Sequence, residues 1–172
     1  MPVNIEIKAR VRDFKALRDR AEALSDTSCE MVSQEDTFFN TQKGRLKLRV
    51  LSPEQAWLVY YERPDVEGPR RSDYHLAESR DPENLKTALR LALGVRGVVR
   101  KTRYLYMAGQ TRIHLDDVEG LGHFMELEVV MREGQGDEEG QAIARDLMKK
   151  LGVREEDLLD LAYMDLIEAD MS

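Results

Sequence analysis

The 172-residue sequence predicts an α+β domain of about eight strands, closed into a barrel with a charged interior and helices packed outside. Three observations carry this reading. Apolar and charged residues alternate with period 2 in segment after segment, as in strands with two unlike faces. The charged faces are dense and sort by sign, one strand basic and another acidic. Helical patterns fill the gaps between the strands.

From Val3 to Val11 the chain reads V-N-I-E-I-K-A-R-V. Val3, Ile5, Ile7, Ala9 and Val11 share one face, and Asn4, Glu6, Lys8 and Arg10 the other. A helix follows, N-capped by Asp13, with Phe14, Leu17, Ala21 and Leu24 as its apolar stripe. Met31 to Asn40 is the next strand. In Gly44 to Leu51, Arg45, Lys47 and Arg49 oppose Leu46, Leu48 and Val50. Ala56 to Arg63 and Arg71 to Ala77 are two further strands. Asp81-Pro82 opens a second helix with Pro at its first position, Leu85, Leu89 and Leu93 inward, and Gly94 as its stop. Arg96 to Met107 places Lys101 and Arg103 together, and Gln110 to Val118 does the same for Arg112, His114 and Asp116. Phe124 to Arg132 sets Glu126 and Glu128 opposite Met125, Leu127, Val129 and Met131. After the acidic, Gly-rich stretch Glu133 to Gly140, a third helix runs from about Glu138 to Leu151 and stops at Gly152. A short fourth covers Glu155 to Ile167.

Alternation alone also fits an open sheet with one wet face. Three successive outward cations at Arg45, Lys47 and Arg49 would repel one another on such a surface. Closed into a barrel with the apolar face outward under the helices, the same residues line a tunnel. A tunnel walled by Lys and Arg attracts a polyanion. A carboxylate cluster beside that polyanion calls for a divalent cation, and oxygen ligands favour Mg²⁺ or Mn²⁺.

Composition narrows the classes. With 26 Lys+Arg against 33 Asp+Glu the net charge is −7, which argues against general binding to nucleic acid or an anionic membrane. No apolar run approaches the roughly 18 residues of a membrane span, and Met1 to Arg10 lacks a signal-peptide apolar stretch. One cysteine, Cys29, leaves no intrachain disulfide and no multi-Cys zinc site. The expectation is a single domain over residues 1–172 in the cytoplasm. An exposed barrel rim leaves room for a homodimer.

The strands also resemble a known family. Asn4-Ile5-Glu6-Ile7-Lys8 is similar to the E-x-E-x-K signature of CYTH proteins, the triphosphate tunnel metalloenzymes that include class IV adenylyl cyclases and thiamine triphosphatases. Gln34-Glu35-Asp36-Thr37-Phe38-Phe39, Leu46-Lys47-Leu48-Arg49 and Val99-Arg100-Lys101-Thr102-Arg103 resemble later family strands. The closest likeness is His114-Leu115-Asp116-Asp117-Val118-Glu119-Gly120-Leu121-Gly122, continuing to Phe124-Met125-Glu126-Leu127-Glu128. The segment lies nearer the cyclase-like branch.

The resemblance implies an eight-stranded antiparallel barrel that holds a triphosphate such as ATP or tripolyphosphate with one or two Mg²⁺ or Mn²⁺ ions. By position, Glu6, Asp116, Glu126 and Glu128 would serve the metal. Lys8, Lys47, Arg49, Lys101 and Arg103 would clamp phosphate oxygens, and Arg71 is a further candidate. Glu6, Lys8 and Lys101 would stand nearest the chemistry. Phosphoryl and nucleotidyl transfer ask for charge neutralisation and in-line positioning more than for a protein nucleophile.

Two positions depart from the family pattern. Asn4 stands where the first signature Glu belongs. Glu62, in Tyr61-Glu62-Arg63-Pro64, stands where a Lys is usual, so that a carboxylate would face the phosphate unless Arg63 is re-aimed by a bulge. Phe39 replaces a Tyr of the thiamine-triphosphatase branch, which argues against that dedicated substrate. His114 has tunnel parity but reads as structural, Trp57 as a core or strand-end residue, Asp73 as a partner for Arg71, and Tyr104 and Tyr106 as packing. The leading expectation is hydrolysis of a triphosphate, with cyclisation of ATP to cyclic AMP and pyrophosphate as the alternative. Asn4 and Glu62 together leave a third option, a tunnel that binds without turnover.

Overall fold

The computed structural model describes residues 3–62, 68–160, 163, 165 and 166. Its strands are β1 (Val3–Arg10), β2 (Glu30–Phe39), β3 (Arg45–Ser52), β4 (Gln55–Glu62), β5 (Arg70–Ser79), β6 (Val95–Ala108), β7 (Thr111–Val118), β8 (Gly122–Val130) and β9 (Leu158–Leu159). The first eight pair antiparallel in the order β5-β4-β3-β2-β6-β7-β8-β1, and a β1–β5 pairing closes the barrel. Closure leaves those eight strands without a free edge.

The helices are α1 (Phe14–Leu24), α2 (Pro82–Leu93) and α3 (Asp137–Leu151). Asp13 caps α1 by accepting from the Ala16 amide, and Asp81 caps α2 by accepting from that of Asn84. α3 carries Asp137, Glu138 and Glu139 in its first turn and Lys149 and Lys150 in its last, matching both ends of the helix dipole. It stops at Gly152, whose φ of 74° is left-handed.

The core lies outside the barrel wall. Ile5, Ile7 and Ala9 of β1, Ile113 and Leu115 of β7, and Met125, Leu127 and Val129 of β8 pack under Leu17 and Ala21 of α1 and Ala144, Leu147 and Leu151 of α3. Burying each large aliphatic side chain is worth about 1.5–3 kcal/mol. α2 covers the other side, where Leu85 and Leu89 pack on Phe39, Leu48 and Ala56. With the apolar face outward, the alternate residues face in.

Two expectations need correction. The helix expected over Glu155 to Ile167 begins instead as one 3₁₀ turn, Glu155–Asp157, followed by the extended pair β9, while Tyr163, Asp165 and Leu166 are helical as expected. Leu158 and Leu159 stand opposite Ala9 and Lys8, the part of β1 that β5 does not reach, so they pair with backbone left open there. Residues 161, 162, 164 and 167 of that expected helix lie outside the described residues. On β5, Ser72 stands opposite Asn4 and Arg70 opposite Glu6. The inward residues of β5 are therefore Ser72, Tyr74 and Leu76, and Arg71 and Asp73 face out.

Candidate active site

The barrel encloses a cavity of about 270 Å³. Among the described residues its lining carries six cations, Lys8, Lys47, Arg49, Lys101, Arg103 and Arg112, against four carboxylates, Glu6, Asp36, Glu126 and Glu128. The interior is thus net positive inside a chain of net charge −7. Each charged side chain is there because it alternates with a residue of the outer core, one position away on the same strand.

The cations gather on β3 and β6. Arg49 of β3 donates to both oxygens of Asp36 on β2, at 2.8 and 2.7 Å. Lys101 of β6 lies 3.3 Å from the same carboxylate and Lys47 3.6 Å. Asp36 is 1 % exposed and serves as the common counter-ion for these three. Burial alone would raise its pKa; Arg49, Lys101 and Lys47 outweigh that and hold it well below the usual carboxylate range. The same crowding acts in reverse on Lys47. Burial, then the neighbouring Arg49, pulls its ammonium down to about 7.

The opposite wall is acidic. Glu126 and Glu128 of β8 face His114 of β7, and one ligand atom from each of the three lies within 4.8 Å of the others. His114 Nδ1 is 2.9 Å from Glu128 Oε1 and 3.9 Å from Glu126 Oε2. Asn4 of β1 donates through Nδ2 to Glu128 Oε2 at 3.1 Å, and its own Oδ1 is buried without a hydrogen bond. Lys8 pairs with Glu126 at 3.1 Å and lies 3.9 Å over the ring of Tyr163. Burial would raise the Glu126 pKa, but Lys8, then His114 and Arg103, hold it well below the usual range. Two carboxylates and an imidazole are a donor set that fits a divalent cation.

Arg103 joins the two walls. It forks onto Asp116 at 2.8 Å through both Nε and Nη2, and reaches Glu126 at 3.4 Å. Tyr163 donates its hydroxyl to Asp116 at 2.7 Å. Tyr163 and Leu166 pack with Phe38, Val59, Tyr61, Val99 and Phe124, at the end of the barrel where Asp165 bridges Arg45 and Arg96 at 3.0 and 2.7 Å. Val32, Trp57, Leu105 and the half-exposed Leu76 add an apolar part to the cavity wall.

Of the residues singled out in the sequence, Glu6, Lys8, Lys47, Arg49, Lys101, Arg103, Glu126 and Glu128 all line this one cavity. Glu6 sits in register with Glu128 but outside the three-residue cluster. Asp116 faces inward, yet it is fully buried beneath the Arg103 fork and the Tyr163 hydroxyl and stands outside that cluster too. Arg71 is on the outer surface, paired with Asp73 at 3.0 Å and Asp137 at 3.5 Å. Glu62 is also outside. It is in register with Asp73, accepts from the Tyr60 hydroxyl and pairs with Lys43 at 3.4 Å, while Tyr61 takes the inward place. The carboxylate expected to face the phosphate therefore does not. Arg63 lies outside the described residues. Phe39 packs under α2, and the inward neighbour is Phe38.

Four residues gain importance from the structure. Asp36 alternates with Gln34 and Phe38 on the inward face, a parity that was readable, but its role as a shared counter-ion depends on strands 13 and 65 residues away. His114 is part of the acidic cluster, Trp57 lines the cavity, and Tyr163 arrives from the far end of the chain.

Comparison with known proteins agrees with this architecture. Adenylate cyclase CyaB of Aeromonas hydrophila is 25% identical over 180 residues, spanning 98% of this chain and 90% of that protein. The structure of the PH1012 protein from Pyrococcus horikoshii OT3 superposes with a TM-score of 0.83 at 29% identity, covering 95% of this chain and 98% of that one. HpAC1 from Hippeastrum, a protein named for adenylyl cyclase and described with a dominant triphosphatase activity, has the same fold at a TM-score of 0.70 and 16% identity, over 99% of this chain and 96% of its own. The CYTH domain family model matches residues 3–163, and the chain belongs to that family.

Proposed function

We propose that the tunnel binds the triphosphate group of an organic triphosphate and catalyses its hydrolysis with a divalent cation. The observation that carries this is the facing of two walls inside one barrel cavity. Lys47, Arg49 and Lys101 share a single counter-ion on one side, and Glu126, Glu128 and His114 cluster on the other. Three cations on one carboxylate leave charge to be neutralised, and an incoming phosphate chain supplies it. Arg49 and Arg103 can fork onto phosphate oxygens as they now fork onto Asp36 and Asp116.

Glu126, Glu128 and His114 would hold the cation, which supplies charge neutralisation on phosphate oxygens when bound. The chain's own part is positioning. Lys8 is held between Glu126 and the Tyr163 ring, and this fixes its ammonium against the phosphate path. Packing of Tyr163 and Leu166 against the inner face limits water at that end. No titratable side chain is needed as a nucleophile, because the attacking group in hydrolysis is water.

A second reading is favoured by one observation. Val32, Trp57, Leu76 and Leu105 give the cavity an apolar portion suited to a nucleobase. The relative named adenylate cyclase points the same way. Cyclisation of ATP would use the same phosphate clamp with the ribose hydroxyl in place of water. Product analysis separates the two. ATP and tripolyphosphate, each incubated with Mg²⁺ and with Mn²⁺, should release orthophosphate, and Lys101→Ala or Glu126→Gln should reduce turnover by about 10²-fold or more. Cyclic AMP and pyrophosphate as the main products would replace hydrolysis by cyclisation. Tight binding without any product would leave the tunnel as a binding site.

A further inference from the structure

We propose that His114 is a nitrogen ligand of the cation, and that with Asn4 it makes this site select first-row transition dications such as Mn²⁺ over Mg²⁺. This rests on the cation-assisted reading of the tunnel and assigns the ligand set of the same site.

Where the signature carries a carboxylate, Asn4 supplies a neutral amide. Its Nδ2 is committed to Glu128, and its Oδ1, in a side chain only 3 % exposed, accepts no hydrogen bond. Across the cluster, His114 is 4 % exposed and brings Nδ1 to 2.9 Å from Glu128 Oε1. Neighbouring ligands on an octahedral ion with bonds of about 2.1 Å lie about 3.0 Å apart, so this pair already has the spacing of two ligands on one ion. Glu126 and Glu128 bring two negative charges, and neutral His114 and Asn4 add none. Lys8 at 3.1 Å and Arg103 at 3.4 Å already hold Glu126, so the two carboxylates are shared between these side chains and the ion. Each carboxylate also has lone pairs to spare beyond its contacts with Lys8, Arg103 and Asn4.

Donor type then decides the ion. Mg²⁺ favours oxygen donors and gives up its waters reluctantly, so an imidazole adds little to its affinity. First-row transition dications accept imidazole nitrogen more readily than Mg²⁺ does, Mn²⁺ the least of them, so the same residue raises their affinity relative to Mg²⁺. A site with Glu in place of Asn4 and no His would offer oxygen only and lose this preference.

The test is direct metal binding to the chelator-treated protein without any phosphate compound. Free Mn²⁺ is counted by electron paramagnetic resonance during titration, and Mg²⁺ is added as competitor. Wild type should bind Mn²⁺ at least about tenfold more tightly than Mg²⁺. His114→Gln should lose Mn²⁺ affinity by about 10–100-fold while Mg²⁺ affinity changes by less than about threefold, so the preference collapses. Spin-echo spectra of the Mn²⁺-loaded wild type should show nitrogen coupling, a readout that needs no variant. Bound Mn²⁺ without nitrogen coupling overturns the inference. So does an equal loss of both ions in His114→Gln, which would mean that His114 only positions Glu128, and so does absence of Mn²⁺ binding. A metal-free melting shift with tripolyphosphate tests the phosphate clamp separately. A chain that ligates Mn²⁺ through nitrogen but turns over no triphosphate keeps this inference and loses the hydrolase reading.

Discussion

Asp36→Asn is the most informative single change, because it keeps the shape of the tunnel wall and removes one charge. Asp36 is 1 % exposed and faces Arg49 at 2.7 Å, Lys101 at 3.3 Å and Lys47 at 3.6 Å. Removing one partner from a buried ion cluster leaves uncompensated charge and costs about 3–5 kcal/mol. In a domain of this length 1 kcal/mol moves the melting temperature by about 2–4 °C, so the variant should melt roughly 6–20 °C below wild type. The same three cations are those proposed to clamp phosphate. A polyanion should therefore restore in the variant what Asp36 supplies in wild type. If about 1.4 kcal/mol of the lost stability returns on binding, metal-free tripolyphosphate binds about tenfold more tightly to Asp36→Asn than to wild type. Differential scanning fluorimetry with and without tripolyphosphate, together with calorimetric titration, reads both numbers. Equal melting shifts in the two proteins would refute the idea that Asp36 and phosphate share the same cations. A melting temperature within about 2 °C of wild type would refute the buried-cluster argument itself.

Lys47, whose pKa burial and then Arg49 lower to about 7, should make phosphate affinity pH-dependent. Relative to Lys47→Arg, which stays charged, wild-type affinity for tripolyphosphate should fall as pH rises through about 7. For stability the sign is the opposite of a salt-bridged lysine. The folded value lies below the unfolded one, so the unfolded chain holds the extra proton between about 7 and 10.5 and this group's contribution rises with pH across that window. Asp36, Asp116 and Glu126 are all held below their ordinary values, so the stability they add is full above about pH 4–5 and is lost on acidification, which an acid melting series measures. Glu62→Lys and Arg71→Ala lie on the outer surface and should change turnover by less than about twofold; a large gain from Glu62→Lys would place that side chain inward after all. Gly140→Val should be destabilised by overpacking of about 1–3 kcal/mol, because even a Cβ at Gly140 would stand 2.6 Å from Ile5 Cγ1 and 2.5 Å from Met131 Sδ. Chemical denaturation measures that difference.

The two departures from the family signature separate once the strands are registered. Asn4 remains in the tunnel, next to the acidic cluster. Glu62 leaves it, because β4 presents Trp57, Val59 and Tyr61 inward. The tunnel therefore does not carry the Glu62 carboxylate that would repel phosphate. What remains is a positive interior in which every lining cation of β3 and the Arg103 fork already holds an acidic partner that a phosphate chain can replace or extend.

Much of this was present in local sequence. Period-2 alternation in β1, β3 and β8 assigns Lys8, Lys47, Arg49, Glu126 and Glu128 to one face each, since a strand leaves a residue only two directions to point. Caps at Asp13 and Asp81 and the stops at Gly94 and Gly152 placed the helices by the same local chemistry. Register was not local. β5 has charged residues at Arg70, Arg71 and Asp73 on both parities, so its pattern could not say which face turns inward; only the pairing of Ser72 with Asn4 decides it. The same pairing carries Glu62 outward through Asp73. Beyond register lie contacts made through space: Asp36 shared among three cations, His114 joined to two glutamates, and Tyr163 returning from the C-terminal region to Asp116, 47 residues away in sequence. Sequence alone determined which residues are charged and on which face of their own strand they stand. Closure of the barrel decided which of those faces meet, because facing walls are brought together by strand pairing and not by proximity along the chain.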